Sequence, residues 1–144
     1  MRTYEGQREF ILISEEERDG APAITITEHD ARQLQPAKGA IRTGIQALLQ
    51  AKGHAEEEIK QVIIAGAFGN YIDVSSAITI GMLPSLPLNR FRQVGNAAGT
   101  GARLALVSRN KRAEAQKIAR RVRYIELASL SDFQRLFVQA MYLG

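Results

Sequence analysis

Val62-Ile63-Ile64-Ala65-Gly66-Ala67-Phe68-Gly69-Asn70 is the segment that decides the fold. The apolar run over residues 61–65 predicts a strand that is covered on both faces. The run stops at a glycine-rich turn, and Asn70 and the short helix predicted over residues 74–80 follow it. Glycine lets the backbone turn sharply and approach a ligand closely, so this turn is a candidate binding element.

A second strand ends in the same way. Residues 91–95 predict a strand, Asn96 is a suitable N-cap, and a small-residue helix that contains Gly99 follows over residues 97–108. A helix N-terminus offers N–H groups to an anion, and ligands of α/β sheets bind beyond the carboxyl ends of the strands. The two turns together predict a nucleotide site. The alternative is that their glycines serve only tight strand–helix packing.

Neither turn matches a known phosphate motif or carries a catalytic group. No Gly-Lys-Ser/Thr follows Gly95, and the glycines of the first turn do not form a Gly-x-Gly-x-x-Gly series. Asp73 is the carboxylate near the turns, and we expect it to cap the helix over residues 74–80. The chain contains no cysteine, which excludes a thiol nucleophile and an iron–sulfur cluster held by this chain. We therefore assign neither catalytic nor metal-ligating residues.

The first half of the chain predicts a hairpin and a long helix. Residues 9–14 and 23–26 are β-rich runs separated by a polar turn, and Thr27 can cap the helix that follows. Pro36 predicts a break, after which the main helix runs to Lys52 and stops at Gly53. Its apolar positions lie on one face and comprise Leu34, Ala37, Ile41, Ile45 and Leu48. Gly39 and Gly44 indicate close approach of a neighbouring element.

The second half completes an alternating pattern. A charged helix is predicted over residues 111–122, an edge strand over 123–127 and a last helix over 129–143. The buried side of the last helix is expected to comprise Phe133, Leu136, Phe137, Ala140 and Met141. The order β–β–α–β–α–β–α–α–β–α predicts an α/β fold with a mixed sheet flanked by helices.

Composition predicts one cytoplasmic domain spanning residues 1–144. The 45% hydrophobic and 24% charged fractions are ordinary for a soluble protein. The longest apolar runs are far shorter than a membrane helix requires, and the first residues lack the apolar core of a signal peptide. We therefore expect no membrane association.

The charge is distributed unevenly. Residues 1–89 carry a net charge of −4, whereas residues 90–123 carry ten Lys or Arg side chains and a single acid, Glu114. Such a basic block predicts either a footprint for nucleic acid or an acidic protein, or the solvated outer face of a helix. No aromatic pair interleaves with these charges, so nucleic acid is the less favoured partner.

Several blocks of the chain, in order, resemble the C-terminal end of the reductive activators of corrinoid proteins. The blocks are residues 37–45, 62–73, 77–84 and 94–106, followed by 124–127 and 132–138. The activators of this family carry an N-terminal 2Fe–2S ferredoxin domain and a C-terminal domain of the actin, Hsp70 and sugar-kinase superfamily. They couple ATP hydrolysis to the reduction of cob(II)alamin to cob(I)alamin on a corrinoid protein.

The resemblance implies that this chain is the second subdomain of an actin-like, ribonuclease H-like ATPase domain. Gly66, Ala67, Phe68 and Gly69 match the adenosine motif of the superfamily, with Asn70 directly after it. Gly95, Asn96 and Gly99 are implied to line the same cleft. The implied ligand is ATP and the implied partner is a corrinoid protein.

The chain lacks sequence motifs that belong to the family pattern. The Asp-x-Gly-Thr-like phosphate loops do not occur in it, so the resemblance implies a C-terminal fragment of a larger multi-domain protein. The missing N-terminal half of the ATPase domain would hold the phosphates and Mg²⁺, and the missing N-terminal domain the 2Fe–2S cluster. We expect no turnover by the isolated chain. The alternatives are half of an actin-like small-molecule kinase, or a non-catalytic binding module with a basic face.

Overall fold

The computed structural model describes residues 1–4 and 6–143, except for the side chain of Phe68. Within these residues the strands are β1 (Arg2–Tyr4), β2 (Gln7–Ile13), β3 (Ile24–Thr27), β4 (Val62–Ala65) and β5 (Phe91–Gly95). The α-helices are α1 (Glu28–Lys52), α2 (Val74–Thr79), α3 (Ala97–Val107), α4 (Arg109–Ala119) and α5 (Phe133–Met141). The predicted α/β class with flanking helices is confirmed, but the described strands form two separate sheets rather than the single mixed sheet that was predicted.

The strands are divided between two sheets. β1, β2 and β3 form an antiparallel sheet in which Arg2 pairs with Glu9 and Phe10 with Ile26. β4 and β5 form a parallel pair in which Val62 lies beside Phe91. Because these two strands are parallel and adjacent, their carboxyl ends lie at the same edge.

Helix α1 begins and ends as the sequence predicts but does not break at its proline. Thr27 and Asp30 form a reciprocal capping box, and Gly53 ends the helix with a φ of +66°. The predicted break at Pro36 is wrong, because α1 continues through it. Pro36 lies on the exposed side of α1, where water can bind the carbonyl that lacks an N–H donor.

Helices α1 and α5 pack closely against each other at Gly39. A Cβ atom at this position would lie 3.0 Å from Cγ of Met141 and 3.5 Å from the ring of Phe137. The close approach predicted at Gly39 is therefore confirmed. At Gly44 a Cβ atom would meet only Cδ1 of Leu127, at 4.0 Å, so packing does not require glycine there. The predicted inward side of α5 is its less exposed side, where Ala140 is buried and the other four predicted residues are half-buried.

Lys38 joins α1 to the ends of two other helices. Its side chain is buried, and Nζ donates hydrogen bonds to the carbonyl of Ile80, at 2.7 Å, and to the carbonyl of Tyr142. These carbonyls belong to the C-caps of α2 and α5, where the helix dipole favours a cation. Burial lowers the pKa of Lys38, and the nearby Arg42 lowers it further.

Large apolar side chains that the sequence predicts to be covered are exposed in the described chain. Leu34, Ile41 and Leu48 lie on the exposed side of α1, whose buried residues are Lys38, Gly39, Thr43 and Ala47. Ile63 is also exposed, so the prediction that β4 is covered on both faces is wrong for the described residues. The apolar pattern is present, but the element that would cover it is not among these residues.

The solvent-accessible surface area of the chain is large for its mass, in agreement with these exposed apolar side chains. It measures 11171 Å², whereas a compact monomer of 15.9 kDa exposes about 7,400 Å². The chain therefore exposes about half as much surface again as a self-sufficient domain of its mass.

The prediction of a strand over residues 123–127 is wrong. These residues are irregular and lead into a 3₁₀ turn, Leu127–Ser129. Alternating side chains form a strand only where a neighbouring strand pairs with them, and none pairs here within the described residues.

Among the described residues, none of the helices combines the length and the apolar character of a membrane-spanning segment.

Candidate functional site

The two glycine turns predicted to form a site lie side by side. The backbone N–H of Gly66 donates a hydrogen bond of 2.8 Å to the carbonyl of Gly95. This bond continues the β4–β5 pairing one step beyond Ala65, where the register shifts. The turns after both strands therefore begin at the same edge of the parallel pair.

In the first turn, one glycine has open space beside it and another is tightly packed. Gly66 has a φ of +109°, and a Cβ atom there would meet nothing within 4 Å. Gly69 is buried, and a Cβ atom there would lie 2.9 Å from Cγ2 of Ile64. Ala67 and Asn70 are exposed. The backbone of Phe68 lies in the 3₁₀ turn Phe68–Asn70, but its side chain lies outside the described part of the structure.

The second turn receives a side chain from the first. Gly95 has a φ of +61°, and a Cβ atom there would lie 3.2 Å from Nδ2 of Asn70. The left-handed conformation favours glycine here, and any side chain at this position would press against the Asn70 amide. The Asn70 side chain of the first turn thus lies beside Gly95 of the second.

Asn96 and Gly99 start α3. Oδ1 of Asn96 accepts a 2.8 Å hydrogen bond from the N–H of Gly99, which is the predicted N-cap contact. A Cβ atom at Gly99 would collide with the Asn96 amide at 2.6 Å. The Asn96 amide is therefore occupied in starting the helix, and both residues are exposed beside Gly95.

Gln93 holds the first turn in place, a role that sequence reasoning missed. Its Nε2 donates to the carbonyls of Gly69, at 2.5 Å, and of Ile72, at 2.8 Å. Gln93 lies on β5, so its side chain ties the turn after β4 to the neighbouring strand. The available signal was a carboxamide two residues before the glycine that ends a strand.

The titratable groups near the turns have structural roles. Oδ1 of Asp73 accepts a 2.7 Å hydrogen bond from the N–H of Ser76 and caps α2, as predicted. Hydrogen bonds from Ser76 hold the pKa of Asp73 below its ordinary value, so this carboxyl stays ionised at neutral pH. His29 and His54 are exposed on α1 and after it. No group of three potential metal ligands occurs among the described residues.

The arrangement is suited to binding rather than to bond breaking. Gly66 leaves room for a ligand to approach the backbone, and the exposed groups include a methyl at Ala67 and a carboxamide at Asn70. Such groups can make apolar and hydrogen-bonding contacts with a ligand. The arrangement offers neither the cationic side chain nor the acidic metal ligand that a triphosphate with Mg²⁺ requires. Those groups would have to come from outside the two turns.

Comparisons with known proteins point to a single family. The family described as the C-terminal domain of RACo, the ASKHA domain, matches residues 1–144. The corrinoid activation enzyme RamQ of Eubacterium limosum is 38% identical over 138 residues, which cover 96% of this chain and 23% of that protein. The Co(II) methylated amine-specific corrinoid protein reductase of Methanosarcina barkeri is 26% identical over 119 residues, which cover 81% of this chain and 22% of that protein.

A solved structure agrees with these relatives. The reductive activator for corrinoid, iron–sulfur protein superimposes with a TM-score of 0.82 at 42% identity. The match covers 99% of this chain and 23% of that one. The chain thus spans less than a quarter of the length of each of these relatives.

Proposed function

Because the chain belongs to the family of C-terminal ASKHA domains of the corrinoid activator RACo, we propose that it supplies the adenosine side of an ATP site in such an activator. Its relatives are reductive activators of corrinoid proteins. The observation that carries the proposal is the 2.8 Å hydrogen bond between Gly66 and Gly95, which brings both glycine turns to one open edge. The exposed Ala67 methyl at this edge would pack against the purine ring.

In this proposal, the two halves of the ASKHA domain bind different parts of the nucleotide. The turns of this chain would hold adenine and ribose, while the phosphates and Mg²⁺ would be held by the preceding half of the ASKHA domain. The large exposed surface and the uncovered stripe of Leu34, Ile41 and Leu48 support such a second half. ATP would supply the energy of a conformational change, and the chain on its own would bind nucleotide weakly without hydrolysing it.

The proposed partner of the whole protein is a corrinoid protein whose cobalt is reduced from Co(II) to Co(I). The electron would come from a 2Fe–2S cluster in a separate N-terminal domain, since this chain has no cysteine to hold one. Closure of the two halves around ATP would then change the contacts between the activator and the corrinoid protein.

Substitution of Ala67 by leucine tests the adenosine side directly. Ala67 is exposed on the turn, so the larger side chain should be tolerated by the fold but should occupy the space of the purine. We expect the affinity of the intact protein for ADP, measured by isothermal titration calorimetry, to fall about tenfold or more. The matched control is Ala51→Leu, at an exposed position near the end of α1, which should bind ADP as the wild type does. Equal affinities for both variants would contradict the proposal.

A further inference from the structure

Helices α3 and α4, with residues 120–123 after them, form a surface that the proposed nucleotide site does not use. We call this surface the basic hairpin. It contains eight Lys or Arg side chains and one acid, Glu114, which gives it a net charge of +7. Every residue from Arg109 to Tyr124 is exposed, and α3 packs mainly against α4. The hairpin is thus largely uncovered by the rest of the described chain.

The charges of the basic hairpin are hardly neutralised within the chain. Lys111 forms an ion pair of 2.8 Å with Glu114, and Arg112 donates hydrogen bonds to the carbonyls of Ala105 and Leu106. Within the described residues, none of the remaining cations forms an ion pair with an acid. These cations are Arg103, Arg109, Lys117, Arg120, Arg121 and Arg123. Like charges at this density repel one another, and an acidic partner would remove the repulsion.

An apolar stripe runs between these cations. Ala115, Ile118 and Ala119 of α4, with Val122 just after the end of the helix, follow the i, i+3, i+4, i+7 spacing of one helix face. All four side chains are exposed. Helix α4 has only 11 residues, which is short for a helix that is stable without packing. The stripe therefore needs a covering surface that the described chain does not provide.

The combination of aliphatic stripe and cations selects a protein over a nucleic acid. A single-strand binder alternates cations with aromatic side chains on which bases stack. Here Tyr124 is the aromatic residue next to the hairpin, and the apolar side chains between the cations of residues 109–123 are the aliphatic ones of Ala, Ile and Val. Aliphatic contacts ringed by cations fit an apolar patch surrounded by carboxylates.

We propose that the basic hairpin is the docking surface for an acidic, apolar-centred face of the corrinoid protein on which the activator works. This inference rests on the proposed function for the identity of the partner, and on the charge and uncovered stripe of the hairpin for its location. Ile118 and Val122 form the centre of the contact, and Arg120 and Arg121 lie at its rim. Docking neutralises the rim charges and covers α4.

The test measures the affinity of the intact protein for a purified corrinoid iron–sulfur protein, by calorimetry at several salt concentrations. Arg120→Glu combined with Arg121→Glu should weaken binding about tenfold or more and reduce its salt dependence. Ile118→Ser should weaken binding at every salt concentration. The matched control, Arg8→Glu with Lys60→Glu, makes the same charge change at exposed positions outside the hairpin and should leave the affinity unchanged.

The outcomes separate the two proposals. If the wild type does not bind the corrinoid protein, the proposed partner is rejected, and the docking inference with it. If the wild type binds and the hairpin variants bind equally well, only the docking inference is overturned. It is also overturned if the hairpin variants lose thermal stability without losing affinity, since the hairpin is then covered by the protein itself. Displacement of the corrinoid protein by a short DNA duplex at physiological salt overturns it in favour of a nucleic acid.

Discussion

Replacement of Lys38 by alanine is expected to lower the free energy of unfolding by about 3 kcal/mol. The lysine side chain is 2% exposed and donates to the carbonyls of Ile80 and Tyr142. Alanine leaves both carbonyls without this donor and opens a cavity beside Gly81. Urea denaturation measures the loss. The control is Lys52→Ala in the last turn of the same helix, where the exposed side chain contributes less than about 1 kcal/mol. A loss no larger than that of the control would contradict this role.

The contribution of Lys38 to the stability of the wild type changes with pH in a defined direction. Burial, with Arg42 nearby, holds the pKa of Lys38 in the folded chain below the 10.5 of the unfolded chain. Between these two values the unfolded chain binds more protons, so stability rises with pH. The penalty for burying the charge is fully present below the folded pKa and is relieved as pH rises through it. We expect the stability of the wild type, relative to Lys38→Met, to increase from neutral pH towards 10.5. Parallel pH profiles would contradict this assignment.

Replacement of Gly69 by alanine should damage both the fold and the proposed site. The new Cβ atom would lie 2.9 Å from Cγ2 of Ile64, which is attached directly to a branched Cβ and cannot move far. The turn must therefore shift, which we expect to lower the free energy of unfolding by about 2 kcal/mol. The shift should also weaken ADP binding about tenfold, because Gly66 and Ala67 move with the turn. Denaturation and calorimetry on the intact protein measure the two effects.

Gly44→Ala is the matched control for this variant. Gly44 lies in α1, outside both turns, and a Cβ atom there would make only an ordinary contact of 4.0 Å with Cδ1 of Leu127. Alanine should therefore stabilise the helix by about 1 kcal/mol and leave ADP binding unchanged. If Gly69→Ala behaves as this control does, the packing of the first turn is not what positions the site.

Local signals in the sequence predicted the starts of three helices, whereas the last helix, predicted over residues 129–143, spans only Phe133–Met141. Thr27, Asp73 and Asn96 cap their helices as expected, because a cap depends on residues only three positions away. The two glycine turns were also predicted to form one site, since ligands of α/β sheets bind beyond the carboxyl ends of the strands. These parts of the fold and of the candidate site follow from short-range chemistry and from the order of the elements.

Roles that depend on distant partners were not predictable. Lys38 bonds to carbonyls 42 and 104 residues away, and nothing near it in sequence marks them. Gln93 was missed for the same reason, because its acceptors lie 21 and 24 residues upstream. The apolar stripe of α1 was recognised, but the surface that covers it is not among the described residues. Pro36 shows a local rule overridden by the rest of a long helix.

Titration of ADP into the chain, followed by the backbone amide resonances, tests the central claim most directly. The account predicts that millimolar ADP shifts the amides of two segments, 66–70 and 95–101, and leaves the amides of the basic hairpin beyond residue 108 unmoved. Resonances that stay in place throughout, or shifts confined to other parts of the chain, would contradict the claim that these two turns form half of a nucleotide site.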